Sequence, residues 1–247
     1  MILLRKSTVV LFLVAIFLIA WGENVNSKEA TFSVNGITFV FDPGEEYCAA
    51  DPINYPKDRE VLDYFRKVGH GQMYVMGVFF RCAYMQRVRS GGEAINWENE
   101  DFATLSAAMS GPNEIVRLPE ISRADFLKEY SAMMGAGNIS ASVAEETVKR
   151  LNDNMPVDAA KLGKMKLTAP VEAGVIDIDE AALYTAALVP ASWDNEDFNN
   201  AVVGFSTSVK RLLVTYALAG SLESSQTWLR LLNSVKAAAN RLAERYQ

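Results

Sequence analysis

His70 is the only histidine of the chain, so any imidazole chemistry must run through it. Gly69 and Gly71 flank it, an open setting that could present a general base. The same residue at the end of a predicted helix could instead answer the free carbonyls and the negative end of the dipole. One histidine excludes a multi-histidine zinc site within a single chain. For nucleophilic catalysis, Gly204-Phe205-Ser206-Thr207-Ser208 lacks the second glycine of a nucleophile elbow and reads as a connection between strands. Ser90-Gly91-Gly92 is too short to cradle a phosphate and has no Lys-Ser/Thr behind it. The sequence therefore assigns no catalytic residue, no metal ligand and no cofactor.

The acidic residues offer more. Trp97-Glu98-Asn99-Glu100-Asp101-Phe102 recurs as Trp193-Asp194-Asn195-Glu196-Asp197-Phe198, differing at one position. The surrounding residues do not align, so a duplicated domain is not implied. Glu98, Glu100, Asp101, Asp194, Glu196 and Asp197 are the candidate residues of an acidic binding surface. Carboxylates and amides are also hard oxygen ligands for Ca²⁺, but the spacing of an EF-hand loop is missing. A third reading is a shared local turn, with the aromatic residues packed inward. A different acidic group, Glu45, Glu46 and Asp51, could supply the paired carboxylates of a hydrolase.

Cys48 and Cys82 are the two cysteines. In an oxidising compartment such a pair most often forms a disulfide. Two buried thiols, or a redox or metal-binding pair, are the alternatives, and the lack of Cys-x-x-Cys speaks against thiol exchange. An oxidising compartment is what the N-terminus suggests. Arg5 and Lys6 precede the apolar run Thr8–Trp21, which is shorter than the ~20 residues of a spanning helix. Small residues at Ala20 and Gly22, or at Ser27, fit cleavage, so residues 1–27 read as a signal peptide. Residues 28–247 then form a single domain, periplasmic or secreted, not integrated in the membrane once cleaved. The formal net charge is −6, and removing Arg5, Lys6 and Glu23 leaves the chain more acidic still. That argues against nucleic acid as a partner and gives no polybasic membrane face.

The elements that would position these residues begin with a hairpin. Thr31–Val34 and Ile37–Phe41 alternate in polarity on either side of Asn35-Gly36, the residue pair of a type I′ turn. Pro56 opens a helix carrying Val61, Leu62, Phe65 and Val68, which Gly69 ends. Met73–Phe80 is a continuously apolar run and reads as a strand buried on both faces. Residues 98–160 read mainly as helix and loop, with capping boxes at Ser122–Asp125 and Ser142–Glu145. Ala173–Ile178 and Ala181–Val189 form a second hairpin. Ala201–Phe205 and Leu212–Leu218 form a third, with Ser206-Thr207-Ser208 between them. The last helix carries Trp228, Leu231, Leu232, Val235, Ala239, Leu242 and Tyr246 in one stripe, which should dock on a sheet with Leu232 in the core.

This order predicts an α+β fold: an antiparallel-rich sheet covered by helices, α/β/α sandwich-like, with the long C-terminal helix packed on it. Phe39-Val40-Phe41-Asp42-Pro43-Gly44-Glu45-Glu46-Tyr47 and the strand–strand–helix ending resemble the Mog1/PsbP-like α/β/α sandwich proteins. The long middle segment departs from that pattern. Gly44–Asp51, with Cys82 after an apolar strand, also resembles exported bacterial proteins of unassigned role. Neither resemblance implies a catalytic residue. The expected function is an exported, non-catalytic binding or accessory protein that binds another envelope protein or a ligand. The alternatives are an exported hydrolase and a membrane-tethered subunit that keeps residues 8–21.

Overall fold

Asn35 and Gly36 both take positive φ, 47° and 76°, as the two central residues of a tight hairpin must. The runs beside them therefore pair as β1 (Ala30–Val34) and β2 (Ile37–Phe41), with Phe32 opposite Phe39. The computed structural model describes residues 29–69, 72–91, 101–111, 114–135, 149, 153, 166–167, 172–193, 196–222 and 224–247. Residues 1–27, expected as a signal peptide, His70, the second capping box at Ser142–Glu145, and Glu98, Glu100 and Asp194 lie outside them.

Next come β3 (Tyr47–Ala49), α1 (Pro56–Gly69), β4 (Met73–Arg81) and α2 (Cys82–Arg89). Helix α1 buries Val61, Leu62, Tyr64 and Phe65, and β4 is buried continuously from Val75 to Phe80. Cys48 of β3 and Cys82 at the start of α2 form a disulfide, with Cα atoms 4.9 Å apart. In the chain-entropy account, closing this 34-residue separation stabilises the fold by about 3–4 kcal/mol. Asp58 of α1, 2% exposed, accepts Nη2 of Arg89 at 2.6 Å and the main-chain N–H of Asp51 at 2.8 Å. That contact fastens α2 to the loop before α1.

The middle of the chain departs from the expectation of helix and loop. Residues 102–111 form β5 (Phe102–Gly111), a central strand between β4 and β11 (Leu212–Ser221). Its buried face is Ala103, Leu105 and Ala107. Alanine has little intrinsic preference for strands, so the pattern is weak in the sequence, and hydrogen bonding to two neighbouring strands decides it. After β6 (Glu114–Ile115) comes α3 (Arg123–Gly135), which starts at the predicted capping box. Ser122 Oγ accepts the N–H of Asp125 at 3.1 Å and donates to its carboxylate at 2.6 Å.

β7 (Lys166–Leu167), β8 (Glu172–Ile178), β9 (Leu183–Trp193) and β10 (Glu196–Val209) complete the strands, and α4 (Ser225–Arg245) ends the described chain. The large sheet runs β3–β4–β5–β11–β10–β9, with β7 and β8 both on the outer side of β9 and β6 beside β5. Each of its pairings is antiparallel. Ser206, Thr207 and Ser208 are not the connection between β10 and β11 but part of β10. Thr207 donates to the Ala181 carbonyl at 2.7 Å, and Ser206 meets Thr215 at 3.1 Å. The turn falls instead at Lys210 and Arg211, with φ of 48° and 67°. Non-glycine residues in that region are uncommon. Here Lys210 donates to the Thr38 carbonyl at 2.7 Å and Arg211 to the Leu118 carbonyl at 2.9 Å.

The β1–β2 hairpin and α4 cover one face of the sheet, where Phe39, Phe41, Phe79, Phe205 and Tyr216 meet Leu231, Val235 and Leu242. On the other face α1 and α2 pack over β3 and β4, and α3 packs over Leu183 and Leu213. The result is the expected α+β architecture of helices on both sides of an antiparallel sheet. Within α4 the apolar stripe is rotated slightly from expectation. Leu231 is fully buried, whereas Leu232 is only half-buried. The helix crosses β10 and β11 so that Leu231, Val235, Ala238 and Leu242 point straight down.

Candidate functional site

The basic residues of α4 flank its apolar stripe, and four separate segments of the chain supply acids to meet them. Arg230 reaches Asp101, Lys236 pairs with Asp177 of β8, Arg241 Nε lies 3.1 Å from Asp42, and Arg245 pairs with Glu29. At its C-terminal end, Arg123 donates to the carbonyls of Ala243 at 3.2 Å and Tyr246 at 2.5 Å, answering orphan acceptors of the last turn.

The strongest of these contacts corrects one expectation. Asp101, a candidate for an acidic surface, is 6% exposed. Arg81 donates to it from Nη2 at 2.7 Å and Nε at 3.1 Å, and Arg230 from Nη1 at 2.5 Å and Nη2 at 3.1 Å. Tyr47 Oη lies 3.4 Å away. Burial pushes the Asp101 carboxyl upward, but the hydrogen bonds from Arg230 and Arg81 outweigh it and hold it below the usual carboxylate range. The lack of a side chain at Gly220 makes room, since a Cβ there would stand 2.3 Å from Asp101 Oδ1. A buried carboxylate needs such partners because burying an isolated charge is costly. Asp101 joins β4, β5 and α4 and is withdrawn from solvent.

The other candidates behave differently. Asp197 is exposed on β10, opposite Ser192, and Glu196 pairs with Trp193 where β9 meets β10. Among the described residues no group of three or more Asp, Glu, His or Cys could hold a metal ion. Of the carboxylates considered for hydrolysis, Glu45 and Glu46 are exposed before β3. Asp51 accepts hydrogen bonds from the N–H groups of Ile53 and Asn54, each at 3.1 Å. Its slight burial works against ionisation, but the bonds from the side chain and backbone of Asn54 prevail and lower its pKa. Such a group organises a turn and stays ionised at neutral pH, so it holds no proton for general-acid work. Tyr47, Tyr64 and Tyr184 are raised by burial above the ordinary phenol range.

An open space lies elsewhere, between the first turns of α4 and the β8–β9 rim. It measures about 690 Å³. Val175, Ile176, Leu188, Leu222 and Trp228 give it apolar walls, with Ser224 and Ser225 at the helix end. Val175 and Ile176 are 39% and 43% exposed, so this apolar surface is reachable from solvent. In the sequence, Val175 and Ile176 read as strand residues and Trp228 as part of the helix stripe, and nothing brings them together. The local signal that could have pointed to this surface is the uncharged run Gly174-Val175-Ile176.

No family model and no curated protein matches the chain in sequence. Among solved structures, the solution structure of PsbP from the cyanobacterium Synechocystis sp. is similar over 86% of this chain and 91% of that chain. The sequence identity is 13% and the TM-score 0.37.

Proposed function

We propose that this chain is an extracytoplasmic, non-catalytic binding or accessory protein. In this reading the groove between α4 and β8–β9 receives an apolar group of a partner in the cell envelope. The groove carries the proposal. Its volume, about 690 Å³, falls within the ~300–1,000 Å³ of ligand sites, and its walls are apolar as such sites are. The Cys48–Cys82 disulfide supports an oxidising compartment. No helix among the described residues is long and apolar enough to cross a membrane. General-acid work in hydrolysis needs a carboxyl group raised enough to hold a proton, whereas that of Asp51, one of the three carboxylates considered for it, is lowered.

Titration with the apolar dye anilinonaphthalene sulfonate tests the groove. Saturable binding is expected, weakened about tenfold (~1.4 kcal/mol) by Trp228→Ala and unchanged by Asp197→Ala. Binding indifferent to Trp228→Ala would remove the groove from the reading. Mass spectrometry of the protein from its native host tests the compartment. A mature N-terminus near Glu23 or Lys28 is expected, and an intact Met1 in the membrane fraction would replace it with the tethered form.

A further inference from the structure

We infer that the occupant of the groove is an extended apolar peptide segment that adds as a strand to the outer edge of β8, with which no other described strand pairs, an inference that rests on the groove being a binding site. The outer side of an edge strand presents N–H and C=O groups ready to pair. Among the described residues β8 pairs with β9 alone, from Glu172–Leu188 to Ile178–Leu183. Natural edges are blunted by short length, lysine, proline or bulges. The opposite edge of the sheet obeys this, since β3 has three residues. β8 has seven residues and no Lys, Arg or Pro, and it exposes Val175, Ile176 and Ile178 by 39%, 43% and 43%.

Its protective features are the charges of Glu172 and Asp177 near its two ends and the register shift between Val175 and Asp177. That irregularity confines regular pairing to the stretch beginning at Glu172, and Gly174 and Val175 of this stretch line the groove. Asp177, beyond the shift, is already engaged by Lys236. An added strand would direct alternate side chains to one face, and those on the α4 side would enter the groove toward Leu188 and Trp228. Backbone pairing then supplies affinity and the groove supplies selection. The net charge of −6 disfavours an acidic segment and equally a second copy of this chain. The geometry thus favours an apolar segment with neutral or basic flanks from another protein.

The test titrates the peptide acetyl-Lys-Val-Thr-Val-Thr-Val-Lys-amide into isotope-labelled protein. The amide signals of Glu172–Val175 should shift saturably. The same peptide N-methylated at alternate residues, on its pairing edge, should bind at least about tenfold more weakly. Val175→Lys, at an exposed position of the edge strand, should weaken binding of the unmodified peptide. Equal binding of the two peptides, or no binding of either while the dye occupies the groove, would overturn strand addition and leave the groove reading standing. Failure of the dye as well would remove both. A concentration-dependent dimer abolished by Val175→Lys would make a second copy the occupant and overturn the inference.

Discussion

Asp101 and Asp197 occupy the same place in two nearly identical hexapeptides, Trp97–Phe102 and Trp193–Phe198, and the fold treats them in opposite ways. Asp101 stands immediately before β5, beneath the first turns of α4, and holds two guanidinium groups. Asp197 sits near the start of β10 and faces solvent. Local sequence is almost the same in both places, so it is not what separates them. The difference is the arrival of Arg81 from the end of β4 and Arg230 from a helix 129 positions later. A carboxylate becomes part of the interior only where the topology delivers cations to meet it. At Asp197, where no such pair is made among the described residues, the same residue type remains surface.

The largest expected effect comes from loosening the helix that carries Arg230. Leu231 is fully buried, so Leu231→Ala should cost about 2–5 kcal/mol, measured by urea denaturation. Leu232→Ala, at the half-buried neighbouring position, should cost clearly less. Equal costs would mean that α4 docks in a different rotation and that Asp101 is held in another way.

Asp101→Ala comes next. It strips two charge-assisted partners from Arg81 and Arg230, whose side chains are 39% and 38% exposed. Water can partly replace the lost carboxylate, so the cost should be about 1–3 kcal/mol.

The pH dependence sharpens the contrast further. Because the Asp101 pKa is lowered in the folded state, its share of stability is present above the unfolded carboxylate value of ~3.9 and is lost as pH falls through the lower folded value. The difference in stability between the native protein and Asp101→Asn should be constant above about pH 5 and shrink in acid below ~3.9. A difference that grows on acidification would contradict the ion-pair account. The smallest effect belongs to Asp197→Ala, expected within about 0.5 kcal/mol. A cost matching that of Asp101→Ala would show that the two hexapeptides are equivalent after all.

Short-range signals in the chain were sufficient for several elements. Asn35-Gly36 determined the first hairpin, because few residue pairs accept two positive φ values. Pro56, Gly69 and the apolar spacing between them marked out α1, and Ser122 with Asp125 marked the start of α3. The disulfide was also legible, from two cysteines behind an N-terminal run that reads as a signal peptide. Where the local pattern was weak, only the assembled sheet decided. β5 is a strand because β4 and β11 flank it, although its buried residues are mostly alanine. The β10–β11 turn sits at Lys210-Arg211 because hydrogen bonds from those side chains to distant carbonyls offset an unfavourable backbone. The same division runs through the candidate site. That Asp101 carries charge follows from its identity, but its burial depends on Arg81, Arg230 and the vacancy at Gly220. The groove depends likewise on how far α4 extends over the rim of β8 and β9. Short-range turn and capping preferences are written into neighbouring residues. Ion pairing and open apolar surface depend on which distant elements the topology brings together, and packing alone settles that.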